Sequence, residues 1–147
     1  MATIRSFEEI EAWKAARTLT RKIRAICKQE NVKRDYAFVD QITRSVRSIG
    51  ANIAEGFEAS SVAEFVSFLS IAKRSTGETR AHMYDALDEG YVSREEFGVI
   101  AADTVSISKM LSSFMAYLRS SEVDSSKRRI RQYRNSVSDQ TTKPVNQ

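Results

Sequence analysis

The sequence predicts an all-α chain folded as an antiparallel up-down-up-down four-helix bundle. Apolar residues recur at spacings of three and four in four separate segments, and Ser-x-x-Glu pairs stand ahead of three of them. Only 5 Gly and 1 Pro punctuate 147 residues, too few turn formers for an all-β chain. No strand is expected. A composition of 41% hydrophobic and 29% charged residues is that of a soluble globular protein. One domain of this length buries about 65–70% of its unfolded surface, so a second domain is unnecessary. Residues 1–119 are assigned to the bundle and 120–147 to a basic, mostly disordered tail.

The first helix is expected to start at Ser6 and Glu9, a capping-box pair. Ile10, Trp13, Ala16, Leu19, Ile23, Ile26 and Cys27 then share one face to about Gln29, and Asn31 to Asp35 form a loop. A second helix opens near Phe38, with Val39, Ile42, Val46, Ile49 and Ile53 inward and Gly56 as a left-handed C-cap. Ser61 and Glu64 open a third, about seven turns long, whose stripe of Phe65, Phe68, Leu69, Ala72, Thr76, Thr79, Met83 and Leu87 ends before Gly90. Ser93 and Glu96 open the fourth, with Phe97, Ile100, Thr104, Ile107, Leu111, Phe114, Met115 and Leu118 inward as far as Ser120. Short connections between helices of similar length favour sequential neighbours crossing at about 20°.

Residue counts exclude much chemistry. The sequence contains no P-loop, nucleophile elbow or HExxH motif, and one His with one Cys is too few soft ligands for structural zinc. His82 reads as a packed or edge histidine, and Cys27 as a small buried hydrophobe. Glu55, Glu64 and Glu78 could build a di-metal site only with Glu-x-x-His partners, which helices two and three lack. Hence no catalytic residue, metal or cofactor is expected. Without a signal-type segment or a long apolar run, the expected compartment is the cytoplasm and no membrane partner is expected.

Net charge is +4, of which residues 120–147 carry +3. That tail reads either as a solubility device or as a nucleic-acid contact, with a short helix through Lys127 to Arg134. Helix one carries Lys14, Arg17, Arg21, Arg24 and Lys28 within an arc of about 80° beside the core stripe. Like charges at this spacing repel, so the row is either screened by water and salt or faces a polyanion. On helix two, Gln41, Arg44, Ser48, Asn52 and Glu55 fall in a similar arc opposite the isoleucines. This stripe is either a solvated face or a hydrogen-bonding surface for another subunit. Val99, Met110 and Tyr117 form a second apolar set on helix four, scattered surface residues or a subunit contact.

The run Gln41-Ile42-Thr43-Arg44-Ser45-Val46-Arg47-Ser48-Ile49-Gly50-Ala51-Asn52-Ile53-Ala54-Glu55-Gly56 resembles the signature of a bacterial four-helix-bundle family. That family comprises the large-subunit rRNA intervening-sequence proteins and is related to the accessory variability determinants of diversity-generating retroelements. Trp13 and the stretch from Phe65 through Glu78 and Arg80 to Gly90-Tyr91-Val92 extend the likeness, which covers Phe7 to Leu118. Gly50 and Lys73-Arg74 depart from the common pattern, and the tail lies outside it.

The resemblance implies a ring-shaped homo-oligomer, commonly a homopentamer. Retroelement relatives associate with a reverse transcriptase and with nucleic acid through a basic surface, while most members have no established activity. It further implies that Arg44, Ser48, Asn52 and Glu55, with Glu78, form a polar network within or between subunits, so that losing Arg44 or Glu55 harms folding or assembly. The resulting expectation is a non-enzymatic oligomeric scaffold binding RNA or DNA through Lys14, Arg17, Arg21, Arg24 and Lys28. The alternative is a protein-interaction adaptor with no nucleic-acid role.

Overall fold

The computed structural model describes residues 4–120. These fold into a packed all-α bundle of a short 3-10 turn, η1 (Phe7–Glu9), followed by α1 (Glu11–Cys27), α2 (Tyr36–Glu58), α3 (Val62–Asp88) and α4 (Arg94–Arg119). No strand occurs among the described residues. Consecutive helices pack on one another, most extensively α2 on α3, and α1 closes against α4. Leu19 and Ile23 of α1, Ile42, Ile49 and Ile53 of α2, Leu69 and Met83 of α3, and Ile107 and Leu111 of α4 are fully buried. By length and apolar composition α4 would also suffice to cross a membrane, but here its stripe lies in the core. The tail expected at 120–147 falls outside the described residues apart from Ser120.

The N-terminus departs from the capping-box expectation. Ser6 makes no side-chain cap, and the Glu9 carboxylate instead accepts from the Arg5 N–H at 2.9 Å. Ile10 is extended (φ −73°, ψ 121°), and α1 begins only after it. The reason is rotational. Nine residues along one helix turn through about 900°, so an unbroken helix would set Ile10 opposite Leu19. The break lets both be buried, and it also sets the Phe7 ring against Trp13 at 5.1 Å between centroids.

The other caps follow the sequence more closely. Asp35 caps α2, which begins at Tyr36, two residues ahead of Phe38, by accepting the Phe38 N–H at 3.2 Å. Ser61 caps α3, while Glu64 accepts from the Ser60 N–H and hydroxyl rather than from Ser61. Ser93 and Glu96 form a complete capping box. At the C-terminus of α3, Gly90 has φ +74°, the Tyr91 N–H reaches the Ala86 carbonyl at 2.8 Å and the Gly90 N–H the Leu87 carbonyl at 3.1 Å. This pair of bonds satisfies carbonyls the helix would otherwise leave open, in the left-handed turn that favours glycine.

Gly56 is not a left-handed cap. It lies within α2, buried, and a Cβ there would stand 2.8 Å from both Phe65 Cδ1 and Phe68 Cβ. Glycine is needed because α3 passes close, not because the chain turns. Gly50, the departure in the family-like run, faces Trp13 with ordinary room for a methyl at 3.7 Å.

The Tyr91 hydroxyl donates to Asp35 Oδ2 at 2.7 Å, joining the α3–α4 connection to the start of α2. That bond, with the Phe38 N–H, holds the Asp35 carboxyl below its ordinary range, and the same contact pushes the Tyr91 phenol up to about 12.

Two outcomes follow for stability. Gly56→Ala should lower it by about 1–2 kcal/mol in chemical denaturation, because the overlap with α3 outweighs the gain in helix propensity. Tyr91→Phe should lower the melting temperature relative to wild type between about pH 4 and pH 10, where the unfolded Asp is charged and the unfolded Tyr neutral. The gap should narrow as pH falls through the lowered Asp35 value and as it rises toward the raised Tyr91 value, measured by thermal melts across pH.

Candidate functional site

Lys14, Arg17, Arg21, Arg24 and Lys28 are all exposed on α1, on the side turned away from buried Ala12, Ala16, Leu19, Ile23 and Ile26. The row therefore lies opposite the core rather than beside it. Lys14 pairs with Glu11 at 3.1 Å, and the Arg17 guanidinium sits 5.8 Å from the Trp13 ring centroid. Among the described residues no carboxylate lies within ion-pair distance of Arg17, Arg21, Arg24 or Lys28. Lys22, by contrast, points across to α4 and is held by Asp103 at 2.8 Å. Arg17, Arg21, Arg24 and Lys28 thus present cations unneutralised among the described residues at one-turn intervals, with Asp103 spent on Lys22 outside the row.

The polar stripe of α2 splits in two. Gln41, Arg44 and Glu55 are exposed, and among the described residues Arg44 pairs only with Asp40, at 3.2 Å, its side chain 80% accessible. Glu78 is exposed on α3 and reaches His82 at 3.3 Å. Within one chain the structure does not bring Arg44, Glu55 and Glu78 together. Ser48 and Asn52 turn inward: Asn52 Nδ2 donates to the Ser48 carbonyl at 2.8 Å and approaches Ser48 Oγ at 2.9 Å. Ser75 of α3 donates to the same Ser48 Oγ at 2.9 Å.

One turn earlier on α2, buried Ser45 donates to the Ile42 carbonyl and accepts from buried Thr79 at 3.1 Å. Thr79 also lies 2.8 Å from the Ser75 carbonyl, and its single hydrogen serves one of the two. A ladder of hydroxyls consequently runs between α2 and α3. Sequence reasoning found Ser48 and Asn52 but missed Ser45 and Ser75, and it placed Thr79 in an apolar stripe. The available signal was the run of small hydroxyl residues at core-facing positions of two helices.

The remaining reactive groups are muted. Burial pushes the Cys27 thiol up, against a smaller lowering by its Thr43 hydrogen bond, which disfavours the nucleophilic thiolate. His82 is mostly covered and bordered by Glu78 and, at 3.8 Å, Asp85. No group of three or more His, Cys, Asp or Glu residues among those described is arranged to hold a metal.

The profile of the 23S rRNA-intervening sequence protein family matches residues 8–113, which takes in α1, the polar stripe, the hydroxyl ladder and most of α4. The chain belongs to this family. A solved structure from Bacteroides thetaiotaomicron, described as a protein of unknown function from the S23 ribosomal protein family, is similar at 30% identity with a TM-score of 0.65. The likeness covers 71% of this chain and 97% of that one. No curated protein matches. Membership in the intervening-sequence protein family thus brings a fold and a family of uncharacterised function.

Exposure of Arg44 and Glu55 separates folding from assembly. Arg44→Ala and Glu55→Ala should each change folding stability by no more than about 0.5 kcal/mol. If the stripe joins subunits, the same variants shift the solution mass measured by light scattering.

Proposed function

We propose that this intervening-sequence family protein is a non-enzymatic cytoplasmic scaffold. In this reading its four helices run antiparallel, up-down-up-down, and the subunits close into a homopentameric ring that binds RNA through the α1 ridge. The observation that carries the reading is the exposed row Arg17, Arg21, Arg24 and Lys28, unmatched by carboxylates among the described residues. Lys14 extends it by one turn, although Glu11 partly neutralises that end. Such a ridge contacts phosphates without reading sequence, and repetition around a ring converts a weak site into a useful one. The family name, which refers to intervening sequences of 23S rRNA, makes RNA the first polyanion to test.

A protein-interaction role has its own support in α4, where Val99 is 54% and Met110 37% exposed on one side of the helix. Those two residues suit a contact with another copy or another protein, while their lack of charge makes them poor partners for a phosphate backbone. The two roles occupy different helices.

The test is a titration of purified, nuclease-treated protein with labelled single-stranded RNA at several salt concentrations, beside its solution mass. Affinity should fall steeply with salt, and replacing Arg17, Arg21 and Arg24 by Gln should reduce the log–log slope by about 2 per bound chain. Salt-insensitive binding, or an unchanged slope, would refute the ridge.

A further inference from the structure

A second candidate contact lies away from α1. Between α3 and α4 runs an open groove of about 730 Å³, whose apolar lining is Ala101, Ala102 and Val105 and whose other groups are Arg80, Tyr84, Ser106 and Lys109. Tyr84 is 54% exposed, yet it is not loose: Phe97 packs on it at 4.7 Å between centroids with the planes tilted by 57°. A ring fixed on one side and open on the other loses little freedom when a planar partner stacks on it. Among the described residues no carboxylate pairs with Arg80 or Lys109, and none lines the groove.

We infer that this groove takes a nucleotide of single-stranded RNA, its base stacked on Tyr84 and its flanking phosphates held by Arg80 and Lys109. An aromatic platform with cations along the same groove is the combination by which proteins hold single strands without sequence preference. The small side chains Ala101, Ala102 and Val105 leave space for a base where larger residues would fill it. An acidic peptide would satisfy the cations but leave the ring without a flat partner. A duplex keeps its bases stacked inside and offers the ring nothing beyond its backbone. The inference rests on the reading of the chain as RNA-binding, but on a different helix pair. It adds a preference for single strands that the α1 ridge, which contacts phosphates alone, does not supply.

The experiment uses the full chain and measures binding of a fluorescent oligouridine strand and of a duplex RNA of equal length. Tyr84→Ala should weaken oligouridine binding about tenfold and leave duplex binding unchanged. Tyr84→Phe, which keeps the ring, should bind as wild type, and 5-iodouridine placed in the strand should photo-crosslink to Tyr84. Equal loss for strand and duplex, a changed solution mass in Tyr84→Ala, crosslinking confined to other residues, or displacement of the strand by an acidic peptide in wild type but not Tyr84→Ala would overturn the inference. If the Arg17, Arg21 and Arg24 variant loses binding while Tyr84→Ala retains it fully, the groove falls and the ridge stands. If wild type binds neither RNA, both fall.

Discussion

The close approach of α2 to α3 is the constraint on which the rest of this bundle depends. At one point it is steric: Gly56 has no side chain because Phe65 and Phe68 occupy the space a Cβ would need. Elsewhere it is polar: Ser48 meets Ser75 and Ser45 meets Thr79 through hydroxyl contacts across the seam, while Asn52 bonds Ser48 within α2. Small hydroxyl side chains suit this role because they let two backbones draw near while using their polar atoms inside the seam. Each buried hydroxyl finds an acceptor, so the seam avoids the penalty of unsatisfied polar groups. A buried ion pair in its place would have carried a larger desolvation cost.

The seam also decides what the surface presents. With Ser48 bonded to α3 and Asn52 bonded to Ser48, the remaining members of the stripe, Gln41, Arg44 and Glu55, are left to solvent. Opposite the core, α1 exposes its cations in a line because its other face is filled by Ala12, Ala16, Leu19 and Ile23. Side chains three and four residues apart on a helix stand about 5–6 Å from each other at Cβ, so a rigid α1 holds its charges at fixed intervals. The cost of that repulsion is not relieved within the described chain, except at Lys14, and is a reason to look for a polyanion. The groups that could have done chemistry point the other way: burial disfavours the Cys27 thiolate, and His82 sits against the acids of its own helix.

The α1–α2 and α3–α4 connections are tied by a single side-chain hydrogen bond. Asp35 both caps α2 and accepts from Tyr91, so one carboxylate serves local helix initiation and a contact 56 residues away in the chain. Aromatic packing of Phe38 on Tyr91, 5.4 Å between centroids, covers the same junction. The cap could be read from the local sequence, since Asp before a helix is a common start. Its distant partner could not, because nothing in a Tyr at that position announces which carboxylate it will meet.

Helix number, approximate bounds and most core positions were determined by the sequence, because a three-and-four apolar period and Ser-x-x-Glu caps are local properties of the chain. Gly90 as a left-handed terminator belongs to the same class. Membership in the 23S rRNA-intervening sequence protein family was legible as well, in the run from Gln41 to Gly56. What the tertiary structure alone decided are matters of rotation and neighbour. The break at Ile10 exists because that residue and Leu19 cannot both face inward on one helix. Gly56 proved to be a point of contact because a second helix crosses it, and an inter-helix approach leaves no mark in the periodicity of either strand of sequence. The polar stripe divided into a part-covered half and an exposed half for the same reason: the angle at which α3 docks selects which polar residues of α2 it covers.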